Sequence, residues 1–136
     1  MRVILDENAR IPTKAHEDDA GFDLYAREEK TVSAGSSAIF DTGVHIELPK
    51  NTVGMLKSKS GLNVKHSLTS EGVIDCGYTG SIRVKLYNHS EEDYIVREGD
   101  KISQLVILPC VPLKLEVADK LNDTDRGTGG FGSTGR

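Results

Sequence analysis

A chain of 136 residues, 37% hydrophobic and 28% charged, has the size and balance of one soluble globular domain, which excludes a disordered polymer and a bundle of membrane spans. Its formal net charge of −4 lacks the basic balance of a nucleic-acid binder, so any phosphate binding must come from a few local cations and backbone amides, which suits a small phosphate ligand rather than a polymer. Cys76 and Cys110 are too few for a disulfide scaffold. With no signal-like segment at Met1-Arg2-Val3 and no long apolar run, the expectation is a cytoplasmic protein carrying two unpaired thiols and making no membrane contact.

Along the chain, short apolar-rich stretches bounded by Gly, Pro, Asp or Asn predict strands at Arg2–Leu5, Phe22–Ala26, Ser37–Phe40, Val44–Leu48 and Val53–Lys57. One short helix is expected from Ser60 to about His66. In Ser81–Asn88 the apolar Ile82, Val84 and Leu86 alternate with Arg83, Lys85 and Tyr87, the period of a strand with one buried face. Tyr94–Arg97 and Lys101–Leu108 follow, joined by the turn Glu98-Gly99-Asp100, and Leu113–Val117 is a candidate last strand. No window holds a 3.6-residue apolar repeat for the length of an ordinary helix, so the fold class is all-β, a sandwich or barrel of which the jelly roll is one kind. No linker divides residues 1–121. From Asn122 to Arg136 the chain is a glycine-rich arm that, fully extended, spans about 50 Å and can reach a neighbouring subunit.

Several stretches hold residue types that phosphate chemistry needs. Ser60 at a strand-to-helix junction can cap a helix whose free N–H groups suit an oxyanion, with Lys57 and Lys59 adding charge. Val73-Ile74 runs into Asp75 and then a turn closed by Gly77 and Gly80; an aspartate at a strand end beside phosphates can hold a water and take its proton, and Tyr78 offers a flat face to a sugar. The arm interrupts its glycines with Arg126, Phe131, Ser133 and Thr134, the types needed for a phosphate fork, a stacking face and two hydroxyl donors. Asp23 and Gln104 sit between apolar neighbours, where a polar side chain needs a partner. His16, His45, His66 and His89 are scattered and read as surface or structural histidines.

In order and spacing, Ala20-Gly21-Phe22-Asp23-Leu24, Lys59-Ser60-Gly61-Leu62, Gly72-Val73-Ile74-Asp75-Cys76-Gly77-Tyr78-Thr79-Gly80, Gly99-Asp100-Lys101-Ile102-Ser103-Gln104-Leu105 and Arg126 to Gly135 resemble the five motifs of trimeric dUTP pyrophosphatases (dUTPases). The resemblance implies a distorted jelly roll, a homotrimer with sites shared between subunits, and an arm that closes over a neighbour's nucleotide. It implies hydrolysis of dUTP to dUMP and pyrophosphate, with Asp75 activating the water that attacks the α-phosphorus in line. Lys59, Ser60, Gly61 and Gln104 would hold the phosphates, and Tyr78 would lie under the deoxyribose and leave no room for a 2′-hydroxyl. The hairpin between His66 and Gly72, with Thr69 in it, would receive uracil, mostly through backbone groups, and Gly72 and Ile74 also count among the substrate-binding residues. Arg126, Ser133 and Thr134 would grip the γ-phosphate end and Phe131 would stack on uracil, with Gly132 a further substrate-binding residue. Mg²⁺ would be held by the triphosphate and waters, with Asp23 as indirect support. Where many members carry arginine, this chain has Lys59, a point charge in place of a bidentate fork; where many carry asparagine, it has Thr69. The related dCTP deaminases use a glutamate where this chain has Lys85, which cannot perform that proton transfer at neutral pH. A regulatory protein partner, described for some family members, stays open beside the enzymatic role.

Overall fold

Alternation along Arg83–Asn88 becomes a layered structure: Val84, Leu86 and Asn88 are buried while Arg83 and Tyr87 face out. A computed structural model of the chain describes residues 1–130 and contains, among them, strands β1 (Arg2–Leu5), β2 (Gly21–Tyr25), β3 (Lys30–Val32), β4 (Ser37–Asp41), β5 (Val44–Glu47), β6 (Thr52–Lys57), β7 (Leu68–Ile74), β8 (Arg83–Asn88), β9 (Tyr94–Val96) and β10 (Lys101–Pro109), with helix α1 (Ser60–His66) between β6 and β7. Strands β2-β10-β6-β7-β8-β4 form one sheet in that order, and β1-β5 and β3-β9 form two-stranded ribbons, every pairing antiparallel.

Strand β7 curls the large sheet. Its first residues, Leu68–Ser70, pair with β8, and Glu71–Ile74 pair with β6, so one strand passes from one layer to the next as corner strands of sandwiches do. The bend brings Gly72 against β6, where an added Cβ would lie 2.9 Å from Leu56 Cδ1, so only glycine fits without displacing that side chain. The result is a curled jelly-roll-type barrel with one short helix. Its core holds Leu24, Phe40, Leu68, Ile82, Leu86, Ile102 and Leu105. Burying each such side chain contributes about 1.5–3 kcal/mol.

The expected helix matches α1, and most expected strands are present within a residue or two. Two strands went unread, β3 and β7, the first only three residues long and the second carrying Thr69, Ser70, Glu71 and Gly72 in its middle. The segment expected as a hairpin between His66 and Gly72 is therefore part of the continuous, bent strand β7, and α1 makes the turn from β6. Leu113–Val117 is not a strand: it runs exposed beyond the end of β10, with no strand among the described residues hydrogen-bonded beside it. An extended segment becomes a strand only when a neighbour pairs with its backbone.

Asn88 shows how the buried polar groups are satisfied. Its Nδ2 donates to the carbonyls of Val32 (2.9 Å) and Glu92 (2.8 Å), and its Oδ1 accepts from Ser90 N (3.0 Å) and Oγ (2.7 Å). This side chain ties β8 to β3 and to the turn before β9. Asn88→Leu, similar in volume, leaves the Val32 carbonyl without its donor, and a loss of about 1–3 kcal/mol in urea unfolding is expected.

Candidate active site

Three of the singled-out stretches meet at one end of the large sheet. Antiparallel register places Asp23 opposite Gln104 and Gln104 opposite Lys57, so β2, β10 and β6 contribute one row. Asp23 is only 5% exposed and is held by two ammonium groups, Lys59 Nζ on Oδ1 and Lys101 Nζ on Oδ2 at 2.7 Å. Burial pushes the Asp23 carboxyl up, but hydrogen bonds and charge from Lys101 and Lys59 outweigh it and hold the group below the usual carboxylate range. Two ammoniums on one carboxylate leave this corner with a net positive charge.

The chain then enters α1. Lys59, not Ser60, is the cap residue, with extended backbone (φ −73°, ψ 127°) and no side-chain cap bond, because Ser60 is already helical. The first intrahelical bond runs from Asn63 N to the Lys59 carbonyl (2.9 Å), so the N–H groups of Ser60, Gly61 and Leu62 have no partner within the helix. Ser60 and Gly61 are exposed beside the lysines. Beneath them, Gln104 Nε2 donates to the Ser58 carbonyl (3.1 Å), and Gly21 leaves room for it: an added Cβ there would sit 2.8 Å from Gln104 Oε1. Ser103 Oγ donates to the Lys57 carbonyl (3.0 Å) and so accepts from Ser70 Oγ (2.8 Å), while Ser58 Oγ accepts from Ser70 N (3.0 Å). These bonds lock β6, β7 and β10 under the entry to α1.

The second group is the loop between β7 and β8. Asp75 leaves the end of β7 exposed; its carbonyl accepts from Tyr78 N (3.0 Å), and Gly77, at φ +100°, makes the turn. The Tyr78 ring lies over Gly80, where any Cβ would overlap it, and its hydroxyl donates to the Ser81 carbonyl (3.1 Å). Asp75 lines a cavity of about 350 Å³ together with Lys50, Asn51 and both cysteines, which are exposed and unpaired. Ile74 is buried in the core, so only its backbone is open to a ligand. Thr69 lies within β7, its hydroxyl 2.8 Å from His89 Nε2.

One chain does not bring the two groups together. Ile74 pairs with Gly54, so Asp75 stands level with Val53, and Lys59 lies six residues further along an extended backbone, about 20 Å away. Arg126 is exposed in a turn at the far end of the chain, its Nε donating to the Gly129 carbonyl (2.9 Å). Phe131, Gly132, Ser133 and Thr134 lie outside the described residues.

The sequence profile of the dUTPase family matches residues 7–135, spanning both groups and the arm. The chain belongs to the dUTPase family. It is 48% identical over 134 residues to a deoxyuridine 5′-triphosphate nucleotidohydrolase of Clostridium acetobutylicum, covering 96% of this chain and 92% of that one. A protein of the same name from Yarrowia lipolytica is 44% identical over 136 residues, covering 98% of this chain and 87% of the other. Among solved structures, the dUTPase of Staphylococcus bacteriophage 80alpha with dUpNHpp superposes with a TM-score of 0.92 at 28% identity, covering 99% of this chain and 98% of that one. A dUTPase variant from phage phi11 of S. aureus, described as coordinating a structural Mg(II) ion, gives 0.81 at 30% identity over 88% of this chain and 96% of its own.

At this site the residues that sequence reasoning passed over are Lys101 and the serines Ser58, Ser70 and Ser103. Lys101 stood in a quoted motif, but nothing local shows that it reaches Asp23. For a divalent cation, Asp23 is a poor direct ligand, since both oxygens already accept from ammonium groups; among the described residues no three His, Cys, Asp or Glu side chains gather as a metal site. The donor set present fits an ion carried in by phosphate oxygens. The depressed Asp23 gives a stability contribution that is complete above the ordinary carboxylate range near 4 and is lost as pH falls through the lower, folded value. Asp23→Asn is expected to lose about 1–3 kcal/mol at pH 7, with the gap to wild type closing below about pH 4 in urea titrations.

Proposed function

We propose that the protein is a cytoplasmic homotrimeric dUTP diphosphatase whose sites are each built from more than one subunit. What carries this reading is the register that sets Asp75 level with Val53 while Lys59 follows six residues further along, about 20 Å at the rise of an extended chain and far more than the few ångströms between an attacking water and the phosphates it serves. Two copies must face each other to join them. Beyond β10, Val111, Leu113, Leu115 and Val117 alternate with Pro112, Lys114 and Glu116, and all four apolar residues are at least 72% exposed. A period of two with no strand partner among the described residues suits a strand that docks on a second copy. In this reading residues 1–121 are the body and 122–136 the arm. No helix among the described residues is long and apolar enough to cross a membrane.

In the proposed reaction Asp75 accepts the proton of a water whose oxygen attacks the α-phosphorus in line. The α–β phosphoanhydride bond breaks, giving dUMP and pyrophosphate. Lys59, the free N–H groups of Ser60 and Gly61, and Gln104 on the facing subunit hold the phosphates and take up developing charge. Mg²⁺, when bound through the triphosphate oxygens and water, would neutralise charge on the leaving pyrophosphate. The Tyr78 ring, braced against Gly80 and Ser81, offers the sugar a fixed wall that a 2′-hydroxyl would strike. Residues 71–74 pair only with β6, so one edge of the Gly72–Ile74 backbone has no strand partner and can read uracil, with Thr69 at its margin. Arg126, Ser133 and Thr134 grip the γ-end, and Phe131 and Gly132 cover the base as the arm excludes water.

Pyrophosphate release is expected from dUTP with Mg²⁺, and not from dCTP, dTTP or UTP; release from none of the four sinks the reading. Asp75→Asn is expected to bind nucleotide and lose about 10²-fold or more in turnover, and near-wild-type turnover in that variant would remove Asp75 from its role. Deleting Asp125–Arg136 should leave a trimer by light scattering and abolish most catalysis, since the arm completes the site without building the interface.

A further inference from the structure

One histidine that looked scattered in the sequence stands against the loop that carries Asp75 and Tyr78. His45 on β5 has Nδ1 2.8 Å from the Thr79 carbonyl oxygen and Nε2 3.1 Å from Asp6 Oδ1. A carbonyl can only accept a hydrogen bond, and so can a carboxylate. Both contacts are hydrogen bonds only when both ring nitrogens carry protons, which is the imidazolium form. In the neutral ring one nitrogen lone pair would face an oxygen, and one of the two contacts would be lost.

We propose that His45 is a positioning residue that fastens the exit of the Asp75–Gly80 loop while protonated and loosens it when neutral. Resting on the functional reading above, this assigns a pH-dependent control of that site to a residue that touches no substrate. The geometry reaches further than one bond. Asp6, just after β1, accepts from Arg27 Nη1 at 3.2 Å through its other oxygen, and Arg27 Nη2 lies 3.9 Å from Asp41 Oδ1 at the end of β4. Asp41 Oδ1 in turn accepts from Ser81 Oγ and from Gly43 N at 3.0 Å, and its Oδ2 lies 3.9 Å from Arg83 Nε. Thr79 and Ser81, the two sides of Gly80, are thus tied to opposite ends of one run of charges, and the Tyr78 hydroxyl bonds to that same Ser81.

Charges around the ring agree with this role. The Thr79 carbonyl raises the His45 ionisation above its ordinary value; partial desolvation opposes that, and Asp6 and Asp41 raise it again. On the other elements around it, Arg2 and Glu47 are paired to each other across β1 and β5, and Lys50, Cys76 and Tyr78 line the same groove. Because the folded value is raised, the anchor is complete below about pH 6.5, the ordinary histidine value, and is lost as pH rises through the folded value.

The test is an NMR titration of the intact protein beside a pH profile of pyrophosphate release from dUTP. In wild type the His45 ring and the amides of Thr79, Gly80 and Ser81 should share one midpoint above about 6.5, and kcat should fall about three- to tenfold across it, well short of the ~10²-fold that a 1 Å misplacement can cost. His45→Gln, which can satisfy only one of the two oxygens, should lose that titration and show a flat kcat at the lower level across the same window. Asp6→Asn, which keeps the ring and removes the charge, should move the midpoint down. Loop amides that ignore the His45 ionisation, or an unchanged high-pH fall in kcat for His45→Gln, would overturn the proposal. A wild-type protein whose loop titrates as described but which releases no pyrophosphate overturns the functional reading and leaves the anchor standing.

Discussion

Strand β6 hydrogen-bonds to β10 along one edge and to β7 along the other, and this double pairing governs where the lysine corner and Asp75 lie. At its C-terminal end it delivers Ser58, Lys59 and the start of α1 to the row formed by Asp23 and Gln104. Opposite its N-terminal end, β7 delivers Asp75. An extended strand cannot shorten, so the proposed phosphate grip and the proposed general base are held apart within a subunit by backbone geometry alone. Assembly of subunits is the economical way to bring such ends together, and the exposed apolar alternation after β10 supplies an element suited to it.

The phosphate corner meets a second constraint, the cost of a buried charge. Asp23 is nearly out of solvent, and such a carboxylate stays ionised only with close opposite charges. Lys59 and Lys101 both answer that need, one from the entry to α1 and one from β10. Lysine is a compact point charge on a flexible stem, so Lys59 can keep contact with Asp23 or turn toward a phosphate without the fixed fork geometry of arginine. The hydroxyl network of Ser58, Ser70 and Ser103 keeps the backbone below this corner rigid while the lysine head is left to choose.

The loop that bears Asp75 is held by other means. A glycine at positive φ makes the turn, a tyrosine ring packs over Gly80, and His45 with its acid and arginine neighbours fastens the exit. Each contact acts on backbone near Asp75 rather than on its carboxylate. The Asp75 carboxylate therefore stays open to water and substrate while its position is constrained.

How much was legible beforehand follows from the range of each interaction. Period-two alternation in Arg83–Asn88, the turn at Glu98-Gly99-Asp100 and the helix Ser60–His66 depend on neighbours in sequence, and the sequence by itself determined them, along with the all-β class and the five motifs that mark the family. Strand β7 was hidden because Thr69 to Gly72 carries turn-prone residues that are extended only through pairing with β6 and β8. Leu113–Val117 had the alternation of a strand, but among the described residues no strand pairs with it. Lys101 on Asp23, the serine network and His45 at Thr79 join residues 12 to 78 positions apart. Only the tertiary structure decided these, because side chains so far apart in sequence meet through strand register, and register is a property of the whole sheet.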